Sequence, residues 1–154
     1  MIPKRQPSSR HCFVCGVENP FGLHLNFYED IPGEVTADII IPAHFQGYPG
    51  VVHGGIVAAM LDEVAGRALM DGGSPRFMFT ARLVVRYHKN VLIEQTLKLV
   101  GRAGKSRSRT AIASSAIYDS SGELLAEADV LLVDIPAEKY EGVDMEKLGW
   151  KVYE

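Results

Sequence analysis

Cysteine occurs only twice in 154 residues, as Cys12 and Cys15, which is too few for a disulfide-built secreted domain. No apolar run reaches the length of a membrane span, and Met1-Ile2-Pro3-Lys4-Arg5 is not followed by the apolar core of a signal peptide. A soluble, cytoplasmic protein with no membrane partner is the expectation. Positive charge is not in excess either. The net charge is −3, whereas nucleic-acid binders usually carry a basic domain, so no nucleic-acid partner is expected. Internal repeats and low-complexity segments are absent, which excludes stacked-repeat and linker-built chains. What remains, at 47% hydrophobic and 23% charged, suits one globular domain with a sizeable core.

Proline is also missing from Ile56 to Met70, a stretch rich in Ala, Leu and Met that ends only at Asp71-Gly72-Gly73, and this predicts a helix of about four turns. Apolar residues fall on every face, so the helix is expected to be buried. Two carboxylates, Asp62 and Glu63, therefore sit where desolvation makes charge costly. Glu63 has Arg67 one turn on, in the favourable order. Asp62 has only Ala58, Ala59, Ala65 and Gly66 at helical spacings, which makes it either a functional acid or a structural one bonded to a distant group.

Gly54-Gly55 at the helix start leaves backbone N–H groups free and lets a ligand approach without a Cβ in the way. Those amides and the helix dipole suit an anion or a developing oxyanion, although an ordinary glycine turn would look the same. Gly55 and Asp62 share a face but lie roughly 10 Å apart along the axis. One reacting carbonyl cannot touch both, so if both serve one reaction, two copies of the helix must lie antiparallel across a dimer axis.

Residues 1–10 read as a loosely attached lead. His11-Cys12-Phe13-Val14-Cys15-Gly16 offers half of a zinc site with His24 as a fourth ligand, but one Cys-x-x-Cys is a weak signal, and no metal or cofactor is expected. Leu23 to Tyr28 alternates as a half-buried strand, Ile31-Pro32-Gly33-Glu34 turns, and Val35 to Ile41 returns. After the helix, strands are predicted near Phe77 to His88, Glu94 to Arg102, Arg107 to Tyr118 and Leu124 to Asp134, with a short helix near Val143 to Leu148 in an acidic tail. Eight basic residues lie between Arg82 and Arg109 against one acid, Glu94, which fits a specific anionic ligand or solvated strand faces.

Strands linked by hairpins after one helix predict an antiparallel sheet of the α+β class. A helix apolar on all faces needs that sheet to curl around it, which the small residues Ala111, Ala113, Ser114, Ser115 and Ala116 would permit. The expected organisation is a lead over 1–22, a single domain over 23–135 and a tail over 136–154.

With Val52-His53-Gly54-Gly55 opening the helix and Asp62-Glu63 within it, the chain resembles the hotdog fold, a curled antiparallel sheet wrapped around one long central helix. More narrowly it is similar to acyl-CoA thioesterases of the phenylacetate-pathway type, and Cys12-Phe13-Val14-Cys15-Gly16 with Asn19-Pro20-Phe21-Gly22-Leu23 is similar to a lead in one branch of that group. The resemblance implies hydrolysis of acyl-CoA, with Asp62 as general base or nucleophile and Gly55, or its neighbour Gly54, polarising the thioester carbonyl. It further implies Gln46 as a polar contact to the thioester or the water, and Thr80 as the hydroxyl that orients the water. His53 and Gly54 would line the substrate site, while Arg82, Lys105, Arg107 and Arg109 would hold coenzyme A phosphates. A homodimer, or a pair of such dimers, is implied too. Two other readings stand beside it: a hotdog hydratase or dehydratase using His44-Phe45 with the helix acid, and a non-catalytic acyl-CoA binding module. The sensor form of the last would be expected to carry an output domain, for which the lead is too short.

Overall fold

The structure is a computed structural model and describes residues 2–70, 76–139 and 145–154. Among these residues seven strands, β1 (Lys4–Arg5), β2 (Tyr28–Ile31), β3 (Glu34–Ile40), β4 (Met78–Tyr87), β5 (Thr96–Ser106), β6 (Thr110–Tyr118) and β7 (Leu124–Asp134), form one sheet in the order β1-β2-β3-β5-β6-β7-β4. Every pairing is antiparallel. The long helix α1 (Gly54–Arg67) crosses the inner face, and a short helix α2 (Met145–Leu148) lies in the tail. The expected breaker Asp71-Gly72-Gly73 and the start of the tail helix at Val143 lie outside the described residues.

Helix α1 packs against β3, β4, β5, β6 and β7. Those five strands are consecutive in the sheet and span roughly 19 Å at about 4.8 Å each, so the helix lies across most of its inner face. This is the α+β hotdog arrangement. Val57, Met60, Leu61, Val64 and Ala65 are buried, while Ile56, Ala58, Ala59, Asp62 and Gly66 are partly exposed on the side beside β4 and the helix start. The helix begins two residues earlier than predicted because the His53 side chain caps it and accepts from the Gly55 N–H.

Helix and sheet come close at Gly101 on β5, where a Cβ would stand 2.0 Å from the Val64 carbonyl oxygen. Ala111, Ala113 and Ser115 keep neighbouring positions low, as the small-residue pattern predicts, although Ser114 faces outward. Gly101→Ala is expected to push the helix off the sheet and to cost about 3 kcal/mol, a fall in Tm of roughly 6–12 °C. An unchanged thermal melt would show that the helix can move away freely.

Three sequence expectations need correction. The lead is fixed, not loose: Gln6 and Ser8 are buried, Gln6 Nε2 donates to the carbonyls of Arg67 and Met70 at the helix end, and Arg67 donates to the Pro7 carbonyl. Arg67 is itself fully buried, its guanidinium lying 4.7 Å from the Phe27 ring and 4.8 Å from that of Trp150, so lead, helix and tail meet on one cation. Leu23, Leu25 and Phe27 are buried in alternation as expected, yet that segment bonds to Phe13, Val14 and Gln6 of the lead, and β2 begins only at Tyr28. Finally, β4 does not form a hairpin with β5. It crosses to the far edge beside β7, leaving one long side unpaired among the described residues.

Candidate active site

Asp62 stands partly buried on α1, and the Thr80 hydroxyl of β4 donates to its Oδ1 at 2.6 Å. The local backbone explains how Thr80 reaches it. Leu83 and Val85 of β4 pack against the core, so strict alternation would turn Phe79 and Ala81 inward and Thr80 outward. The register with β7 shifts between Thr80 and Arg82, leaving Ala81 as an extra residue. That bulge reverses the alternation, so Met78 and Thr80 face the helix. The hydroxyl occupies one lone-pair direction of Asp62 and leaves Oδ2 for a water.

Two turns back, the helix start forms a second group. Gly55 N–H donates to His53 Nδ1 at 2.9 Å, which requires the imidazole proton on Nε2. The Gly54 N–H, at the first helical position, has no hydrogen bond among the described residues. A Cβ on Gly54 would meet nothing nearer than the Tyr87 hydroxyl at 3.6 Å, so the fold of this chain does not itself require glycine there. Tyr87 donates to the Gly54 carbonyl at 2.7 Å from the end of β4. A cavity of about 570 Å³ opens at this point, lined by His53, Gly54, Val57, Tyr48, Tyr87 and Lys89 among others. Gln46 reaches the same end of the helix through its bridge to Val52, and its Oε1 accepts the Gly50 N–H at 3.0 Å, which closes the loop and leaves Nε2 to donate outward.

The expected site residues therefore fall into two clusters within one chain, Asp62 with Thr80 and Gln46 with His53, Gly54 and Gly55. The basic residues divide as well. Arg86 pairs with Glu127 and Asp129, Lys89 with Glu123, and Arg102 with Glu34. Arg82, Lys105, Arg107 and Arg109 are exposed and enter no ion pair among the described residues. The last three gather at the β5–β6 turn. Thr80 pairs with Leu132, Leu132 with Ala111 and Ala111 with Ser106, so the turn is about three strand spacings, roughly 14 Å, from Thr80 and far from the helix start.

Glu63 takes the expected role, accepting from Arg67 Nε at 3.1 Å, and burial pushes its carboxyl above the usual range against the pull of that guanidinium. His44 stacks on Phe45 with ring centroids 4.2 Å apart, and no imidazole bonds to Asp62 among the described residues. Tyr87 and the Ala81 bulge were not anticipated. Both depend on where β4 lies against the helix, a non-local fact with no periodic signature.

The family profile described as the thioesterase superfamily matches residues 49–126, a span that holds His53, Gly54, Gly55, Asp62 and Thr80. The acyl-coenzyme A thioesterase THEM4 of Rattus norvegicus is 25% identical over 138 residues, covering 88% of this chain and 59% of its own. A crystal structure of the thioesterase superfamily protein RHA08564 superposes with a TM-score of 0.74 at 31% identity, over 81% of this chain and 61% of that one. The PaaI protein of the Escherichia coli phenylacetic acid degradation operon shares the fold at a TM-score of 0.67 and 13% identity, over 74% of this chain and 81% of that one. This chain thus spans about three fifths of the first two relatives. With the profile covering half the sequence, the chain belongs to the thioesterase superfamily.

Proposed function

We propose that the protein hydrolyses acyl-CoA thioesters to the free acid and coenzyme A, as a homodimer whose sites each draw on both chains. The observation that carries this reading is the Thr80 hydroxyl on Asp62, a water-orienting group turned onto the helix acid by a bulge. In the general-base form, a water bonded to Asp62 Oδ2 and Thr80 gives its proton to the carboxylate as its oxygen attacks the thioester carbon. The tetrahedral oxyanion is held by a helix-start N–H, from Gly54 as it stands or from Gly55 once His53 turns aside. Collapse breaks the carbon–sulfur bond, and the proton on Asp62 passes to the leaving thiolate. The alternative, in which Asp62 attacks directly and water cleaves the resulting anhydride, uses the same groups. A hydratase would need an imidazole beside the acid, and a hydroxyl there favours hydrolysis.

Support for the shared site comes from the unpaired side of β4. A ten-residue edge strand with Phe79, Val84 and Tyr87 exposed is a ready template for a second copy, and the small or acidic helix positions Ala58, Ala59, Asp62 and Gly66 border it. Release of free thiol from a panel of short, long and aromatic acyl-CoA thioesters tests the activity, and a protein inert to all of them would sink it.

The exposed cations at the β5–β6 turn are assigned to the phosphates of coenzyme A. Charge reversal of Lys105, Arg107 or Arg109 is expected to raise KM for acyl-CoA about two- to fivefold each, the scale of exposed charge pairs, and to flatten its salt dependence with kcat little changed. An equal rise with a pantetheine thioester, which lacks the nucleotide phosphates, would show that these residues only shape the turn.

A further inference from the structure

On the side of α1 that faces the lead, away from Asp62 and Thr80, three acidic donors converge. The sulfurs of Cys12 and Cys15 and a carboxylate oxygen of Glu63 all lie within 4.8 Å of one another. We propose that this is a site for a soft divalent cation of the zinc type, held by the two thiolates and the carboxylate with a fourth position open to water. The inference is independent of the proposed hydrolysis.

The backbone is already shaped for it. Cys12 Sγ accepts the N–H groups of Val14 at 3.3 Å and Cys15 at 3.5 Å, so the amides of the loop point at the sulfur as they would at a bound thiolate. Gly16 closes the turn by donating to the Cys12 carbonyl at 2.8 Å, and a Cβ there would stand 2.3 Å from that oxygen, so only glycine fits. The loop is pinned from below, with Leu23 N–H donating to Phe13 and Leu25 N–H to Val14, both at 2.8 Å. Ser9 Oγ lies 3.7 Å from Cys15 Sγ as a supporting hydroxyl. Zinc bonds of about 2.3 Å to sulfur and 2.0–2.2 Å to oxygen put tetrahedral donors roughly 3.5–3.8 Å apart, so the three need close by only about 1 Å.

Charge and softness select the ion. Arg67 holds one oxygen of Glu63, and a carboxylate has a second to offer. Two thiolates, one carboxylate and the Arg67 cation sum to −2, which a divalent ion neutralises in a partly buried place. Thiolate ligands favour zinc over magnesium or calcium. His24, the fourth ligand that spacing alone suggests, is turned away with Nε2 against the Asn19 carbonyl at 2.5 Å. The third ligand comes from the helix instead, so the ion fastens the lead to α1 at the residue after Asp62.

The test uses the full chain, stripped with chelator, kept reduced and titrated with cobalt(II) without oxygen. One equivalent per chain should give sulfur-to-cobalt charge-transfer absorption and intense tetrahedral ligand-field bands, both displaced by zinc. Glu63→Gln should weaken cobalt binding at least tenfold. Zinc at a hundredfold excess over its Kd should raise Tm by roughly 5–10 °C and protect both thiols of the unmodified chain from alkylation, a readout that needs no cysteine variant to fold. Reduced protein that gives no charge-transfer band, bands that survive in a Cys12→Ser, Cys15→Ser chain, or cobalt affinity unchanged in Glu63→Gln would each overturn the site. The first of these would leave the two cysteines as a thiol pair only.

Discussion

Asp62→Asn is expected to lower kcat by about 10²- to 10⁴-fold, the range typical of a lost general base, with the thermal melt and oligomeric state unchanged. The substitution keeps the shape of the side chain, and the Asn carbonyl oxygen can still accept the Thr80 hydroxyl that Asp62 accepts at 2.6 Å, so the β4 contact survives. No ion pair is lost among the described residues, because the acid that pairs with a cation on this helix is Glu63. Glu63→Gln is therefore the control. It weakens the hold on the fully buried Arg67, which bridges lead, helix and tail, and it should lower Tm more than rate. Activity near the starting level in Asp62→Asn, or a large rate loss at unchanged Tm in Glu63→Gln, would show that the wrong acid has been chosen.

The parts of this molecule that could be read from sequence are those set by near neighbours along the chain. The Glu63–Arg67 pair follows from helical spacing, and β7 runs from Leu124 to Asp134 as its apolar run suggests. Alternation marked Leu23, Leu25 and Phe27 as buried even though their hydrogen bonds go to the lead. The rest depends on partners far away. Nothing in Gln6 or Pro7 foretells that the lead is fixed, because what fixes it there is Arg67, some 60 residues on. Gly101 looks like any strand glycine until the helix carbonyl of Val64 lies against it. Thr80 was reached through family resemblance, since period-two logic points it away from the helix and only the extra residue at Ala81 turns it back. The third donor near the cysteines is hidden for the same reason: Glu63 is 48 positions after Cys15 and looks satisfied by Arg67.

Mixing two inactive chains should restore activity. Asp62 with Thr80 and Gly54 with Gly55 sit about two turns apart on α1, roughly 10 Å, so one thioester carbonyl cannot meet both groups of a single chain. Two helices antiparallel across a two-fold axis would bring Asp62 of one to the helix start of the other, with two equivalent sites per dimer. The second chain is blocked at the helix start by Gly54→Pro or Gly55→Pro. Proline removes the N–H and is tolerated in the first turn, where its φ already suits a helix. A ring at position 55 also displaces the His53 imidazole, whose Nδ1 would lie 3.1 Å from an added Cβ, while position 54 is open apart from Tyr87, so whichever variant loses activity names the donating amide. A heterodimer of Asp62→Asn with the inactive proline chain contains one site with both defects and one with neither, and it should show about half the unmodified activity. Both parents must first be shown to fold and to exchange subunits. If verified heterodimers stay inactive, the shared site fails and Asp62 must work with donors from its own chain.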